Sequence, residues 1–328
     1  MIILEKVKKY FWDKLISFSK GKLFYPLLYK SYWFFLFNES KTRNFSKNYY
    51  TTIPNPGAGI GHQLANWIAG YWFAKQLKLQ FAHSPFSNAK WEYFLGFGEQ
   101  EKTLKELLSK GYRRVNLPLF NENKPIDIEL QKKIIQSFGS KKVVFVAEQD
   151  QFYKNQFEVI DAIQNKFYNA PSRQQDKLIY DSDTFNIAVH VRRGDIVIGQ
   201  ESRNPNLLLR WQDNNYYVTV LKQALDKIVI SKPIKIYLFS QGEVTDFPDF
   251  DEFPNLHFCL DMNAQDSFLH MVYADLLITS KSSFSYKPAL LNKGLKICPK
   301  NFWHGYPDSK DWLFADNHGN LLINNIDE

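Results

Sequence analysis

Cysteine is nearly absent from this chain of 328 residues: only Cys259 and Cys298 occur, both in apolar surroundings. A disulfide framework is excluded, and two thiols alone do not make a zinc site, so a reducing, cytoplasmic setting is expected. Long apolar runs are also absent. The best candidate, residues 23–37, is 15 residues long and is interrupted by Lys30, whereas a membrane span requires roughly 20 apolar residues. The start, Met1-Ile2-Ile3-Leu4-Glu5-Lys6, places apolar residues ahead of charge and leads to no small-residue cleavage site, so no secretory leader is expected. There is no internal repeat and no low-complexity tract. Hydrophobic residues make up 45% of the chain, which excludes wholesale disorder and leaves ample material for a core.

Net charge is missing from most of the chain. Residues 1–50 hold nine Lys and one Arg against Glu5, Asp13 and Glu39, a net +7 that equals the charge of the whole protein. Those residues also carry 15 of the 54 aromatics. Ile3, Val7, Phe11 and Leu15 recur every four residues, with Leu4 and Phe18 close to the same face, while Lys6, Lys9, Asp13, Lys14 and Lys20 fall mostly elsewhere. This is the pattern of a basic amphipathic helix that lies on an anionic membrane surface. Tyr25, Tyr29, Tyr32, Trp33, Phe34 and Phe35 would then sit at headgroup depth; the alternative is a helix packed on the body through its aromatics. No nucleic-acid motif accompanies the basic residues, so a nucleic-acid partner is not expected.

Along the rest of the chain, Thr51–Gly61 reads as loop, 64–79 as helix, 79–83 as a short strand, 102–110 as helix, 143–147 as strand and 156–167 as helix. The polar stretch Ala170-Pro171-Ser172-Arg173-Gln174-Gln175-Asp176 is a candidate crossover between two domains. Beyond it, strands at 186–191, 234–239, 256–260, 276–279 and 295–298 alternate with helices near 215–230, 265–273 and 286–292. Such alternation implies α/β architecture with mostly parallel, doubly wound sheets. The expected division is an N-terminal extension over 1–50 and two α/β domains over 51–172 and 173–328.

Three segments carry chemistry. The most informative is Asn186-Ile187-Ala188-Val189-His190-Val191-Arg192-Arg193-Gly194-Asp195. An apolar strand runs into a His, two Args, a Gly that eases a turn, and an Asp that can hold an Arg or touch a sugar hydroxyl. Ligands of open α/β sheets bind outside the carboxyl ends of strands, and guanidinium forks there match the oxygens of a phosphate or diphosphate. Arg192 follows His190 on one face of the strand. The second segment, with Gly57, Gly59, Gly61, His62 and Gln63, is a glycine loop opening a helix. Its G-x-G-x-G spacing, with no confident strand before it, departs from the dinucleotide fingerprint, so no nicotinamide cofactor is expected. The third, Ser280-Lys281-Ser282-Ser283-Phe284-Ser285, offers hydroxyls and free N–H groups at a helix start. Together the Arg-bearing strand end and the serine segment could neutralise a diphosphate leaving group without a metal.

In their order along the chain, glycine loop, Arg segment and serine segment, the three segments resemble the fucosyltransferase superfamily, particularly the bacterial α-1,2-fucosyltransferases of glycosyltransferase family 11, which carry G-x-G-N-Q, H-x-R-R-G-D and S-S-F-S segments. Further pieces match in order: Ala147-Glu148-Gln149-Asp150-Gln151-Phe152-Tyr153, Asn215-Tyr216-Tyr217 and Ile236-Tyr237-Leu238-Phe239-Ser240. The likeness runs from about residue 55 to 305. It implies a GT-B-like fold of two Rossmann-like domains, the first on the acceptor side and the second binding the nucleotide sugar. It implies GDP-fucose as donor substrate, inversion at the anomeric centre, no bound metal or other cofactor, and a glycan or lipid-linked oligosaccharide acceptor. By position, Arg192 and Arg193 would hold the donor phosphates, with Arg192 central to catalysis. His190 and Asp195 would shape the nucleotide pocket, assisted by Ser282, Ser283, Phe284 and Ser285. The glycine loop with His62 and Gln63 would face the sugar and acceptor. The chain departs from the pattern at His62, where the family has Asn, and at Tyr286-Lys287-Pro288, where the bacterial enzymes have Trp-Trp-Gly. Its N-terminal extension is also longer.

The base is open between His62, Glu148 and Asp150, and a good leaving group can dispense with a strong one. A metal-dependent rival would use a D-x-D motif, for which Asp181-Ser182-Asp183 and Asp249-Phe250-Asp251 are the candidates; the first precedes a strand instead of following one, the second lies in a Pro-flanked loop, and both read as surface turns. Transfer from another nucleotide sugar, or a membrane-attached protein that binds nucleotide or glycan without turnover, are the remaining alternatives. The basic extension would place the body at the inner face of the cell membrane, where lipid-linked polysaccharide and lipopolysaccharide precursors are assembled.

Overall fold

The computed structural model describes residues 2–38, 47–139, 141–147, 153–197, 205–260 and 262–322. Glu148 and Asp150, two of the candidate bases, lie outside the described residues, as does most of the aromatic segment that follows Ala147. The chain forms two compact units, Met1–Asn55 with Asn66–Pro85 and Gln100–Gln151, and Pro56–Ala65 with Phe86–Glu99 and Phe152–Glu328. Each unit is built on a wholly parallel sheet, as the alternation of strands and helices implied.

Among the described residues the first unit carries four strands, β1 (Tyr49–Thr52), β2 (Gln80–Phe81), β3 (Arg113–Asn116) and β4 (Val143–Ala147), in the order β2-β1-β4-β3. β4 is an unbroken apolar run buried along its whole length, as a central parallel strand must be. β1 is also wholly buried. It corrects the expectation that the glycine loop lacks a preceding strand: aromatic and β-branched residues, Tyr-Tyr-Thr-Thr, begin the sheet immediately before the Pro- and Gly-rich turn. The helix Ile60–Gln76 follows, its apolar residues Trp67, Ile68 and Phe73 fully buried. Gly70 lets that helix come close to β1. A Cβ there would stand 2.5 Å from Thr52 Oγ1 and 3.0 Å from the Thr52 backbone nitrogen.

The N-terminal extension is only partly separate. Tyr25 and Tyr29 are buried, not at headgroup depth. Tyr25 Oη accepts from the Leu119 backbone N–H at 3.0 Å, and Ser31 Oγ donates to the Asn116 carbonyl at 2.7 Å. Phe34 stacks on Phe138 with ring centroids 4.2 Å apart. The edge strand β3 and the segment after it therefore supply the surface that covers these aromatics. The first helix, Ile2–Ser19, buries only Ile16 and Ser19 among the described side chains.

The second unit carries β5 (Phe185–His190), β6 (Ile234–Phe239), β7 (Leu256–Cys259), β8 (Leu276–Ile278), β9 (Leu295–Pro299) and β10 (Trp312–Ala315), in the order β10-β9-β8-β5-β6-β7. Read from the other edge, the strands run third, second, first, fourth, fifth, sixth in chain order. That is the dinucleotide-fold arrangement, and its order reverses between β5 and β8. The core is formed by residues including Ile187, Val189, Leu221, Leu238, Leu276 and Ile278. Helices here are capped as local chemistry dictates, among them Asn214–Lys227 by Asp213, Ala264–Tyr273 by Asn263 and Ser283–Leu291 by Ser282.

The candidate crossover at 170–176 lies inside the second unit and does not coincide with the division after Gln151. Pro171–Gln175 forms a short 3₁₀ turn. The Arg173 guanidinium sits between the rings of Phe94, at 4.7 Å, and Phe167, at 3.9 Å, and donates to the Phe94 carbonyl. Tyr168 in turn donates to the Leu291 carbonyl. These contacts tie 171–176 to 86–99 and Tyr168 to the end of the helix Ser283–Leu291.

Gly70→Ala tests the close approach of helix to strand in the first unit. Alanine in a helix interior ordinarily stabilises by about 1 kcal/mol over glycine. Here the methyl group meets fixed backbone, and such overpacking costs about 1–3 kcal/mol. A lowered denaturant midpoint is expected; an unchanged or raised one would contradict the packing described.

Candidate functional site

In open α/β sheets ligands bind in the crevice outside the carboxyl ends of the strands where their order reverses, and here those strands are the central β5 and β8. β5 delivers His190 and, after Val191, Arg192. Val191 N–H still bonds to the Phe239 carbonyl of β6, which keeps the chain extended to that point. Gly194 then takes a positive φ of 65°, with the Gln241 side chain against the place a Cβ would occupy. That turn brings Asp195 back toward Arg192. β8 delivers the serine segment and the helix Ser283–Leu291.

The two strand ends are joined side chain to side chain. Arg192 Nη1 donates to Ser282 Oγ at 2.9 Å, and Arg192 Nη2 to Asp195 Oδ2 at 2.8 Å. Ser282 Oγ also accepts from the Phe284 backbone N–H at 3.1 Å, so one hydroxyl caps the helix and holds the guanidinium. His190 Nδ1 is bonded to Ser280 Oγ at 2.7 Å, the Ser280 N–H donates to Ser285 Oγ at 3.2 Å, and the Phe284 ring lies 5.6 Å from the imidazole. His190, Arg192, Asp195, Ser282, Ser283, Phe284 and Ser285 are thus brought to one end of one sheet. Burial, with help from the charge of Arg192, pulls His190 down to about 3, so the imidazole is neutral at physiological pH.

Arg193 is a correction. It points away from Arg192 into the protein and is 7% exposed. Its guanidinium donates to the carbonyls of Arg192 and Gln212 at 2.9 and 3.0 Å and to Asn214 Oδ1 at 2.5 Å. Its carbon lies 4.2 Å from the Trp211 ring centroid. With those donors engaged, Arg193 fixes the carbonyl of Arg192 rather than facing a phosphate. Gln212 extends the belt, its Oε1 accepting from the Lys281 N–H at 3.0 Å.

Gln63 is corrected too. Its amide donates to the Ala58 carbonyl and to Ser87 Oγ, both at 2.8 Å, and accepts from the Ser87 N–H at 2.9 Å. It staples the glycine loop to 86–99 and is not presented to a ligand. The loop itself does reach the serine segment: a Cβ on Gly61 would stand 2.8 Å from the carbonyl carbon of Ser283. Gly59 gives its carbonyl to the N–H groups of His62 and Gln63, starting the helix. His62 is half-buried, whereas Gly57 and Gly59 are exposed.

Arg210 carries no motif and escaped the sequence reading. It is half-buried in the segment before Trp211, and its pKa is lowered by burial and then by the field of Arg192, with Asp195 opposing. It belongs electrostatically to the same cluster. Burial likewise lowers Lys281. Of the D-x-D candidates, Asp181 precedes β5 at the amino edge and pairs with Lys235 at 3.3 Å, and Asp249 and Asp251 flank the buried Phe250. Among the described residues no group of three or more His, Cys, Asp or Glu is arranged to hold a metal ion.

His190 makes the stability of this region pH-dependent. Unfolded, it takes a proton below its ordinary value of 6.5; folded, only near 3. Between those values the unfolded state binds more protons, so stability falls as pH falls. From pH 7 to 5 the loss due to His190 amounts to about 2 kcal/mol. Denaturant unfolding at the two pH values is expected to show that much smaller a loss in His190→Gln than in wild type. Equal losses would contradict the buried neutral imidazole.

No family model matches the chain, and no curated protein matches it. Solved structures overlap it partially. POFUT1 in complex with GDP shares 15% identity over 78% of this chain and 99% of its own, with a TM-score of 0.47. POFUT1 in complex with GDP-fucose gives 11%, 77%, 97% and 0.44. The fucosyltransferase NodZ from Bradyrhizobium gives 13%, 76%, 93% and 0.38. At such scores the functional reading rests on the side chains described above.

Proposed function

We propose that the chain is a glycosyltransferase that moves fucose from GDP-fucose to a hydroxyl of a glycan or lipid-linked oligosaccharide, with inversion and without a bound metal. The observation that carries this reading is the joint at the strand-order reversal, where Arg192 is held between Ser282 and Asp195 beside a capped helix start. A fork-shaped cation next to free helix N–H groups is a receptor for a diphosphate. The motif order of the sequence supports GDP-fucose as the donor and an α-1,2-type linkage as the product.

In the reaction the acceptor oxygen forms a bond to the anomeric carbon as the bond from that carbon to the β-phosphate oxygen breaks. The electron pair stays on the leaving GDP, and the acceptor proton passes to a base or to water. Negative charge therefore grows on the diphosphate, and a preorganised cation there lowers the barrier. Arg192 supplies that charge, oriented by Asp195 and Ser282. Arg210 is the second cation of the pocket. Arg193 holds the Arg192 backbone in place. The neutral His190 adds no charge and anchors the Ser280 loop. His62, at the helix start whose Gly61 abuts Ser283, is the candidate proton acceptor.

The test is release of GDP and formation of fucosylated product from GDP-fucose, with EDTA present, over a panel of glycan acceptors and water alone. Turnover in EDTA is expected. Arg192→Ala is expected to lower kcat on the order of 10²-fold, as for loss of one oxyanion donor. Arg192→Lys is expected not to restore it, because the bidentate fork is lost. Turnover by Arg192→Ala near that of wild type, or strict dependence on added divalent metal, would contradict the proposal. Binding of GDP with no release for any acceptor would mark a nonenzymatic binder.

A further inference from the structure

The first helix, Ile2–Ser19, presents far more apolar surface outward than inward. Leu4, Val7, Phe11, Leu15 and Phe18 are all exposed, Phe11 by 67% and Phe18 by 69%. At 3.6 residues per turn these five positions fall within an arc of about 80°. Ile16, on another face, is 1% exposed, and Trp12 meets the Tyr29 ring at 5.7 Å. The helix thus buries Ile16 and sets Trp12 against Tyr29, and its exposed stripe lies on a different face.

Charge borders the stripe on both sides. Lys8 and Lys14 project about 20° beyond its two edges on a helical wheel. Between residues 6 and 22 the chain carries Lys6, Lys8, Lys9, Lys14, Lys20 and Lys22 against Asp13 alone. Lys22 Nζ lies over the Phe18 ring, 3.2 Å from its centroid. No helix among the described residues is long and apolar enough to cross a membrane.

We infer that this stripe is a docking surface for an anionic lipid bilayer, with the helix lying along the headgroup boundary. An apolar band rimmed by lysines fits that boundary: the rings and aliphatic groups enter the acyl region while the ammonium groups stay with lipid phosphates. A second copy of the chain fits less well, since a two-fold pairing of the stripe would bring its own lysine rims together. The inference stands apart from the transferase reading, because none of its residues belongs to the crevice.

The experiment is co-sedimentation of the full chain with vesicles of phosphatidylcholine, alone or with phosphatidylserine added. Each lysine near an anionic surface contributes about 1 kcal/mol, so two flanking lysines already imply roughly tenfold or greater preference for the anionic vesicles. Phe11→Glu combined with Phe18→Glu is expected to lower that binding about tenfold or more. Lys8→Glu with Lys14→Glu is expected to abolish the preference for phosphatidylserine. Both pairs are exposed, and a denaturant midpoint unchanged from wild type shows that each variant is folded. Equal binding to the two vesicle types, or wild-type binding by the phenylalanine variant, would overturn the inference. So would a chain that ignores vesicles and self-associates through the stripe.

Discussion

The reversal of strand order between β5 and β8 is the constraint on which the site depends. In a parallel sheet, connections on either side of such a point depart in opposite directions, and the strand ends between them stay uncovered. The chain places its polar residues there. Arg192 comes from one strand end and Ser282 from the other, and their bond at 2.9 Å closes the gap. The capping role of Ser282 makes the position of the helix and that of the guanidinium a single event.

Around that joint the protein invests charge in rigidity. Two adjacent Args divide the work: one faces the crevice, and the other is buried against Trp211 with donors on two carbonyls and Asn214. An extended chain sends neighbouring side chains to opposite sides, which is why the pair cannot both face a ligand. His190 remains uncharged because burial and Arg192 act in the same direction. The pocket therefore keeps its cations on a few half-buried groups and meets no competition from a protonated imidazole.

The second sheet was legible because its strands are apolar runs closed by polar turns, as at 186–191, 234–239 and 276–279. β1 was harder: Thr51 and Thr52 belong to a buried strand, but they stand next to two Pro and three Gly whose turn signal dominates. β3 has a single buried residue, Val115, and two exposed Args, so an edge strand left almost no periodic trace. The gathering of His190, Arg192, Asp195 and the serines was readable from local patterns at strand ends. The inward turn of Arg193 was not, because Gln212 and Asn214 lie about twenty residues away in sequence. Gln63 is similar: its fate is set by Ser87. Arg210 follows no motif and enters only through folding. The N-terminal aromatics divide between uses, Tyr25 and Tyr29 inward, Phe11 and Phe18 outward, and composition alone does not separate them.

The central claim is that the β5–β8 crevice receives a guanosine diphosphate through its phosphates. Calorimetric titration of the full chain with GDP, GMP and UDP tests it most directly. The account expects GDP to bind about tenfold or more tightly than GMP, since the charge-assisted bonds to the second phosphate are lost in the monophosphate, and more tightly than UDP. Equal affinity for GDP and GMP, or no binding of any nucleotide, would contradict it.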